Sequence, residues 1–81
     1  MLNGMILKDT LDTKGIKVNA LERKHFEFSF ALIEKNLNPC EGDFAKIAEL
    51  CNLLDGGSSF TKDNSFEDMI SCLKRYNLIT E

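Results

Sequence analysis

The chain has 81 residues, 43% of them hydrophobic, and a formal net charge of −3. A chain of this length forms one small domain and buries only about 60% of the surface that its unfolded form exposes, so its stability rests on a single core or on an oligomer. Residues 1–40 hold six Lys/Arg and five Asp/Glu, whereas residues 41–81 hold four and eight. This acidic C-terminal half disfavours nonspecific contact with nucleic-acid phosphates and favours a basic partner.

The cysteines and the apolar runs indicate a cellular location. The chain has three cysteines, Cys40, Cys51 and Cys72, and none of them forms a CxxC motif. An odd number of cysteines and the lack of a secretory N-terminal pattern favour a reducing compartment. The longest apolar run, residues 30–33, is far too short to cross a bilayer. His25 is the only histidine, and no fourth ligand stands at a spacing typical of zinc sites. We therefore predict a cytoplasmic protein with no metal and no membrane contact.

The first nineteen residues differ from the rest. Residues 5–7 and 16–18 are short β-leaning runs, and Gly15 between them is a candidate turn residue. We predict an extended or hairpin-like arm over residues 1–19, with a helical turn over residues 6–11 as the alternative.

Residues 20–36 carry two competing patterns. Phenylalanines at 26, 28 and 30 alternate with polar or small residues, as in a half-buried strand. Asn19 followed by Glu22 is a capping box, and good helix formers surround it, so we predict a helix. Such a helix has two apolar stripes: Leu21, His25, Phe28 and Leu32 form one, and Phe26, Phe30, Ile33 and Leu37 form the other. A helix that is apolar on two sides either packs between two other elements of the same fold or uses one side to contact a partner protein.

Two further helices follow. Asn38 as N-cap, Pro39 at the first helical position and Glu41 as capping-box acid predict a helix over residues 39–54, ended by Asp55-Gly56-Gly57. Phe60 in the polar loop that follows is expected to dip into the core. A cap at residue 64 or 65 predicts a last helix over residues 65–77, ended by Asn77. The sequence thus predicts an all-α, compact three-helix domain over residues 20–81, preceded by the arm.

No group of residues predicts catalysis. Glu22, His25 and Ser29 are strung along one helix, so they cannot converge on a substrate carbonyl beside an oxyanion hole. Gly56-Gly57 lacks the Lys-Ser/Thr of a phosphate-binding loop, and the loop starting at Asp55 lacks the ligand spacing of a calcium site. We therefore expect a protein that is not an enzyme and has no cofactor.

The chain shows two resemblances to known proteins, one in its second half and one over residues 21–73. Residues 47–50 and 66–79 together resemble the second and third helices of winged-helix regulators. That resemblance implies DNA binding through residues 64–77, with Lys74 and Arg75 on phosphates. A looser pattern resembles short, uncharacterised phage and prophage proteins, which implies a mobile-element origin. It comprises Arg23-Lys24-His25-Phe26-Glu27, Leu32-Ile33, Ile47-Ala48, Phe60, Asp63-Asn64 and Phe66.

The functional prediction is a small adaptor or inhibitor that binds another protein, with a winged-helix-like DNA-binding regulator as the alternative. One apolar stripe of the helix over residues 20–36 would close the core, and the other would meet a basic protein or a second copy of the chain. The alternative without a binding surface is that both stripes are buried inside the protein. The predicted partner-binding residues are Phe26, Phe30, Ile33, Glu41, Asp43, Glu49, Glu67 and Asp68.

Overall fold

The computed structural model describes residues 2–79, which form four helices. These are α1 (Gly4–Thr13), α2 (Ala20–Glu34), α3 (Glu41–Asp55) and α4 (Phe66–Arg75). The prediction of a compact all-helical protein is confirmed, but the predicted count of three helices is wrong. Met1, in the predicted arm, and Thr80 and Glu81, at the end of the predicted helical domain, lie outside the described residues.

The additional helix is α1, which replaces the predicted extended or hairpin-like arm. The Asn3 side chain accepts hydrogen bonds from the backbone N–H groups of Met5 and Ile6, at 3.1 and 3.2 Å, and so caps the helix. Leu7 and Leu11, four residues apart, lie on one face of α1 and are buried in the core. The β-leaning residues 5–7 are helical because this spacing lets the segment bury two leucines against α2.

Helix α2 confirms the helical interpretation of residues 24–33 over the strand alternative. Asn19 Oδ1 accepts a hydrogen bond of 2.7 Å from the backbone N–H of Glu22, as the predicted cap requires. The helix packs against both α1 and α3. Helix α3 in turn packs against α4, so α2 and α3 each have two neighbouring helices.

All four helices end at a residue with a positive φ angle, which for α3 is Gly56 at 71°. Gly15, Asn36 and Asn77 follow α1, α2 and α4 with positive φ angles of 73°, 53° and 59°. After each of them, the backbone N–H of the next residue bonds back to the last turn, as in Ile16 N to Leu11 O at 2.9 Å. The predicted left-handed ending at Asn77 is thereby confirmed, and it turns Leu78 back into the core.

Helix α3 begins later than predicted. Cys40, with φ −99° and ψ 173°, is the N-cap, whereas Asn38 has a φ of 54° and Pro39 precedes the helix. The acid that reaches back to the N-cap is Asp43, whose carboxylate accepts a 2.9 Å hydrogen bond from the Cys40 N–H. The prediction was wrong because it placed the capping box two residues early. Helix α3 ends at Gly56, in the left-handed conformation, and Ser65 caps α4 as predicted.

One continuous core holds the four helices together. Its buried members come from all of them and from both ends of the described chain: Leu2, Leu7, Leu11, Phe26, Phe30, Ile33, Ile47, Ala48, Leu50, Cys51, Leu54, Met69, Cys72, Leu73 and Leu78. Phe60 packs against this core from the α3–α4 loop, as predicted. The Asn52 side chain holds that loop in place, since it bonds both the N–H and the C=O of Phe60, at 3.0 and 2.9 Å. The two ends meet in an antiparallel bridge between Leu2 and Ile79.

Candidate functional site

The three apolar residues predicted to bind a partner lie in the core. Phe26, Phe30 and Ile33 are buried, and the Phe30 ring contacts the Phe66 ring at the start of α4, with 5.4 Å between centroids. A partner cannot reach this stripe while the bundle is folded. The stripe predicted to meet a partner is therefore the one that closes the core.

The opposite stripe of α2 is exposed. Leu21 and Phe28 are 78% and 63% exposed, His25 between them is exposed, and Leu32 is half-buried. Large apolar side chains that stay this exposed in a row are uncommon on small monomers and mark contact surfaces. We name the residues Leu21, Lys24, His25, Phe28, Leu32 and Lys35 the outer face of α2.

Two of the three carboxylates of α2 contact neighbouring helices, and the third borders the outer face. Glu22 forms an ion pair with Lys46 of α3, and this contact, with the help of Glu49, raises the pKa of Lys46. The Glu27 carboxylate lies against Gly4 of α1, where a Cβ would overlap it. Glu34 lines a cleft together with Leu2 and Lys35, so it lies at the edge of the outer face. The formal charges left on the outer face are both positive, Lys24 and Lys35, and within residues 2–79 neither forms an ion pair.

The five predicted acidic residues have separate surroundings. Glu41 lies 3.6 Å from the Lys62 ammonium, and Glu49 lies 3.3 Å from that of Lys46. Glu67 and Asp68 are exposed in the first turn of α4, where carboxylates stabilise the helix dipole. Exposed pairs of this kind contribute about 0–1 kcal/mol each. None of these four residues is on α2, so the acidic surface and the outer face of α2 are different surfaces.

Asp43, the fifth acid, is a structural residue. It is buried, and its carboxylate accepts the Cys40 N–H and a 3.0 Å hydrogen bond from the Ser29 hydroxyl of α2. The backbone hydrogen bond from Cys40 is the main cause that lowers the pKa of Asp43, and it outweighs the opposing effect of burial. Asp43 thus ties α3 to α2 as an ionised carboxylate.

The side chains considered for catalysis are engaged elsewhere. Glu22 bonds Lys46 and Ser29 bonds Asp43, so neither side chain orients or activates His25. Arg75, predicted to touch phosphate in the DNA-binding alternative, lies 3.3 Å from the Asp55 carboxylate. Among residues 2–79, no three His, Cys, Asp or Glu side chains converge as a metal site. No helix in that range has the length and hydropathy needed to cross a membrane.

A polar cluster joins the end of α3 to the end of α4. The Tyr76 hydroxyl donates to Asp55 Oδ1 at 2.8 Å, and this bond raises the pKa of the phenol. The Cys72 thiol lies 3.7 Å from Asp55 Oδ2. Burial raises the pKa of both Cys51 and Cys72, so these thiols are protonated at neutral pH. The cluster fastens two helices and offers no activated nucleophile.

These environments predict selective thiol chemistry. Under native conditions iodoacetamide should alkylate the exposed Cys40, while Cys51 and Cys72 should react on the order of a hundredfold more slowly, because α3 and α4 must first separate. Intact-mass spectrometry should show one adduct on the native protein and three in denaturant. The Cys40→Ser variant, as control, should show none when native. Rapid native labelling of Cys72 would contradict its burial between α3 and α4.

Comparisons with protein-family models, with curated proteins and with solved structures returned no match. The outer face of α2 was not predicted as the contact surface, although its apolar residues and His25 were recognised as one of the two stripes. The sequence did contain a difference between the two stripes. The charged residues of the outer face are basic, whereas Ser29 and Glu22, which contact α3, lie at the margins of the buried stripe.

Proposed function

We propose that this protein is a small, non-enzymatic adaptor or inhibitor that binds another protein through the outer face of α2. The single observation that carries the proposal is the exposure of Leu21 and Phe28 in line on a helix whose opposite side is fully buried. Aromatic and large aliphatic side chains supply most of the binding free energy at protein interfaces, so Phe28 is the expected anchor.

The location of the outer face supports this role. Helix α2 is held on two sides by α1 and α3, so its exposed stripe is presented on a rigid support. Because little backbone ordering is then needed on binding, a small contact surface can still give measurable affinity. The acidic residues of α3 and α4 form a separate surface. That surface is the alternative candidate for partner binding.

Capture from a bacterial lysate tests the proposal. The tagged wild-type protein should retain a stoichiometric protein after nuclease treatment, and Phe28→Ser should reduce that retention about tenfold or more, since anchor residues contribute about 2 kcal/mol or more. Phe28→Ser should fold normally because the side chain is 63% exposed, which thermal unfolding can check.

The comparison variant is Glu67→Lys/Asp68→Lys, which reverses exposed charge on α4 and should leave capture unchanged. If this variant loses the partner while Phe28→Ser keeps it, the acidic surface is the binding surface and the proposal is wrong. Capture that disappears with nuclease would instead favour the DNA-binding alternative through Lys74 and Arg75.

A further inference from the structure

The outer face of α2 has the geometry of one side of a helix–helix contact. Leu21, Phe28 and Leu32 are separated by seven and four residues, so they follow one line along the helix. At a rise of 1.5 Å per residue the line is about 16 Å long. This is the length of about three turns, which a single partner helix can cover.

The charge of the outer face selects the partner. Lys24 lies between Leu21 and Phe28, and Lys35 lies one turn beyond Leu32. Of the carboxylates of α2, Glu22 pairs with α3 and Glu27 lies against α1, while Glu34 lines a cleft with Leu2 and Lys35 at the edge of the face. The two lysines have no ion pair within residues 2–79. A partner that places carboxylates on either side of its apolar residues would pair with both lysines.

Helix α1 extends the same surface. Met5 is 82% exposed and lines a cleft of about 390 Å³ together with Lys8, Arg23 and Lys24. Glu27 also lines this cleft, with its carboxylate against Gly4. The cleft adds one more apolar contact and two more cations beside the outer face, so the surroundings remain mainly basic.

Two other occupants fit less well. In a two-fold dimer through this face, Lys24 and Lys35 of one copy would lie near the same residues of the other, and like charges repel. An anionic membrane is a large charged surface that repels the net charge of −3 and the acidic residues of α3 and α4. A single acidic helix experiences mainly the local field, because screening limits interactions to about 10 Å.

We infer that the partner segment is an acidic amphipathic helix, which packs apolar residues on Leu21 and Phe28 and places carboxylates beside Lys24 and Lys35. This inference rests on the proposed function and specifies its partner. It replaces the basic partner expected from net charge, because the exposed apolar side chains and the acidic residues belong to different helices.

The test is a displayed library of helical peptides of about 15 residues, with leucines at helical spacing and every bordering position randomised between Glu and Lys. Selection on the wild-type protein, with counter-selection on Phe28→Ser, should enrich Glu at the borders. The affinity of the selected peptide should fall about tenfold for Lys24→Glu/Lys35→Glu and should also fall as salt rises from about 0.05 to about 0.5 M.

Matched controls separate the possible results. Lys62→Glu changes the net charge by about two, half the change in Lys24→Glu/Lys35→Glu, but lies in the α3–α4 loop, so it should leave affinity unchanged. Enrichment of Lys, or no charge preference among Phe28-dependent peptides, would overturn the acidic partner while the proposed function stands. No Phe28-dependent peptide, a Phe28-dependent dimer in sedimentation, or binding to phosphatidylglycerol vesicles would overturn the inference outright. The lysate capture then decides the proposed function independently.

Discussion

Phe30→Ala should lower the free energy of unfolding by about 3–5 kcal/mol, the usual cost of removing a buried aromatic ring. The Phe30 side chain is 1% exposed and contacts Phe66, so its removal leaves a cavity between α2 and α4. A domain of this size has a total stability of roughly 5–10 kcal/mol, so the loss removes between about a third and all of it. Urea unfolding followed by circular dichroism measures the change.

Phe28→Ala is the matched control, two residues away on the same helix. Its side chain is 63% exposed, so the free energy of unfolding should change by no more than about 0.5 kcal/mol. The pair of variants tests directly which stripe of α2 is in the core. Equal losses in the two variants would mean that both stripes are buried, and a larger loss for Phe28→Ala would place the Phe28 stripe in the core instead.

Asp43→Ala should lower the free energy of unfolding by about 1–3 kcal/mol, since it removes the acceptor of the Ser29 hydroxyl and of the Cys40 N–H. The Ser29 hydroxyl is buried, so water replaces its lost acceptor only in part, whereas the Cys40 N–H is part-buried and regains water more easily. Urea unfolding again measures the change. Glu41→Ala, which removes an exposed carboxylate in the same turn, should cost less than about 0.5 kcal/mol.

Two further measurements identify the cause of that loss. Ser29→Ala combined with Asp43→Ala should cost less than the sum of the single variants, because the two side chains bond each other. The pKa of Asp43 is lowered in the folded state, so its ionised form contributes stability above the ordinary value of 3.8. That contribution is lost as the pH falls through the folded-state pKa. The difference between the wild type and Asp43→Ala should therefore shrink as the pH falls below the ordinary value of 3.8, and a constant difference would contradict the role of the charge.

Much of the helical architecture is local in origin and was predictable for that reason. Asn19 and Ser65 cap helices by bonding backbone N–H groups three residues away, and Asn77 ends one through its own backbone conformation. Interactions within a few residues depend only on nearby residue types, which a sequence displays directly. Helix α1 was predictable on the same grounds from Asn3, Leu7 and Leu11, but β-leaning residue types outweighed that spacing in the interpretation.

The role of each stripe of α2 could not be predicted from its composition, because both stripes contain leucine or isoleucine and phenylalanine. Burial of Phe26 and Phe30 depends on where α1, α3 and α4 pack, and those contacts join residues far apart in the chain. The same packing buries Asp43 against Ser29 and holds the carboxylates of Glu22 and Glu27 against α3 and α1. Local bonding therefore determined where the helices begin and end, while long-range packing decided which apolar surface stays exposed and which charges surround it.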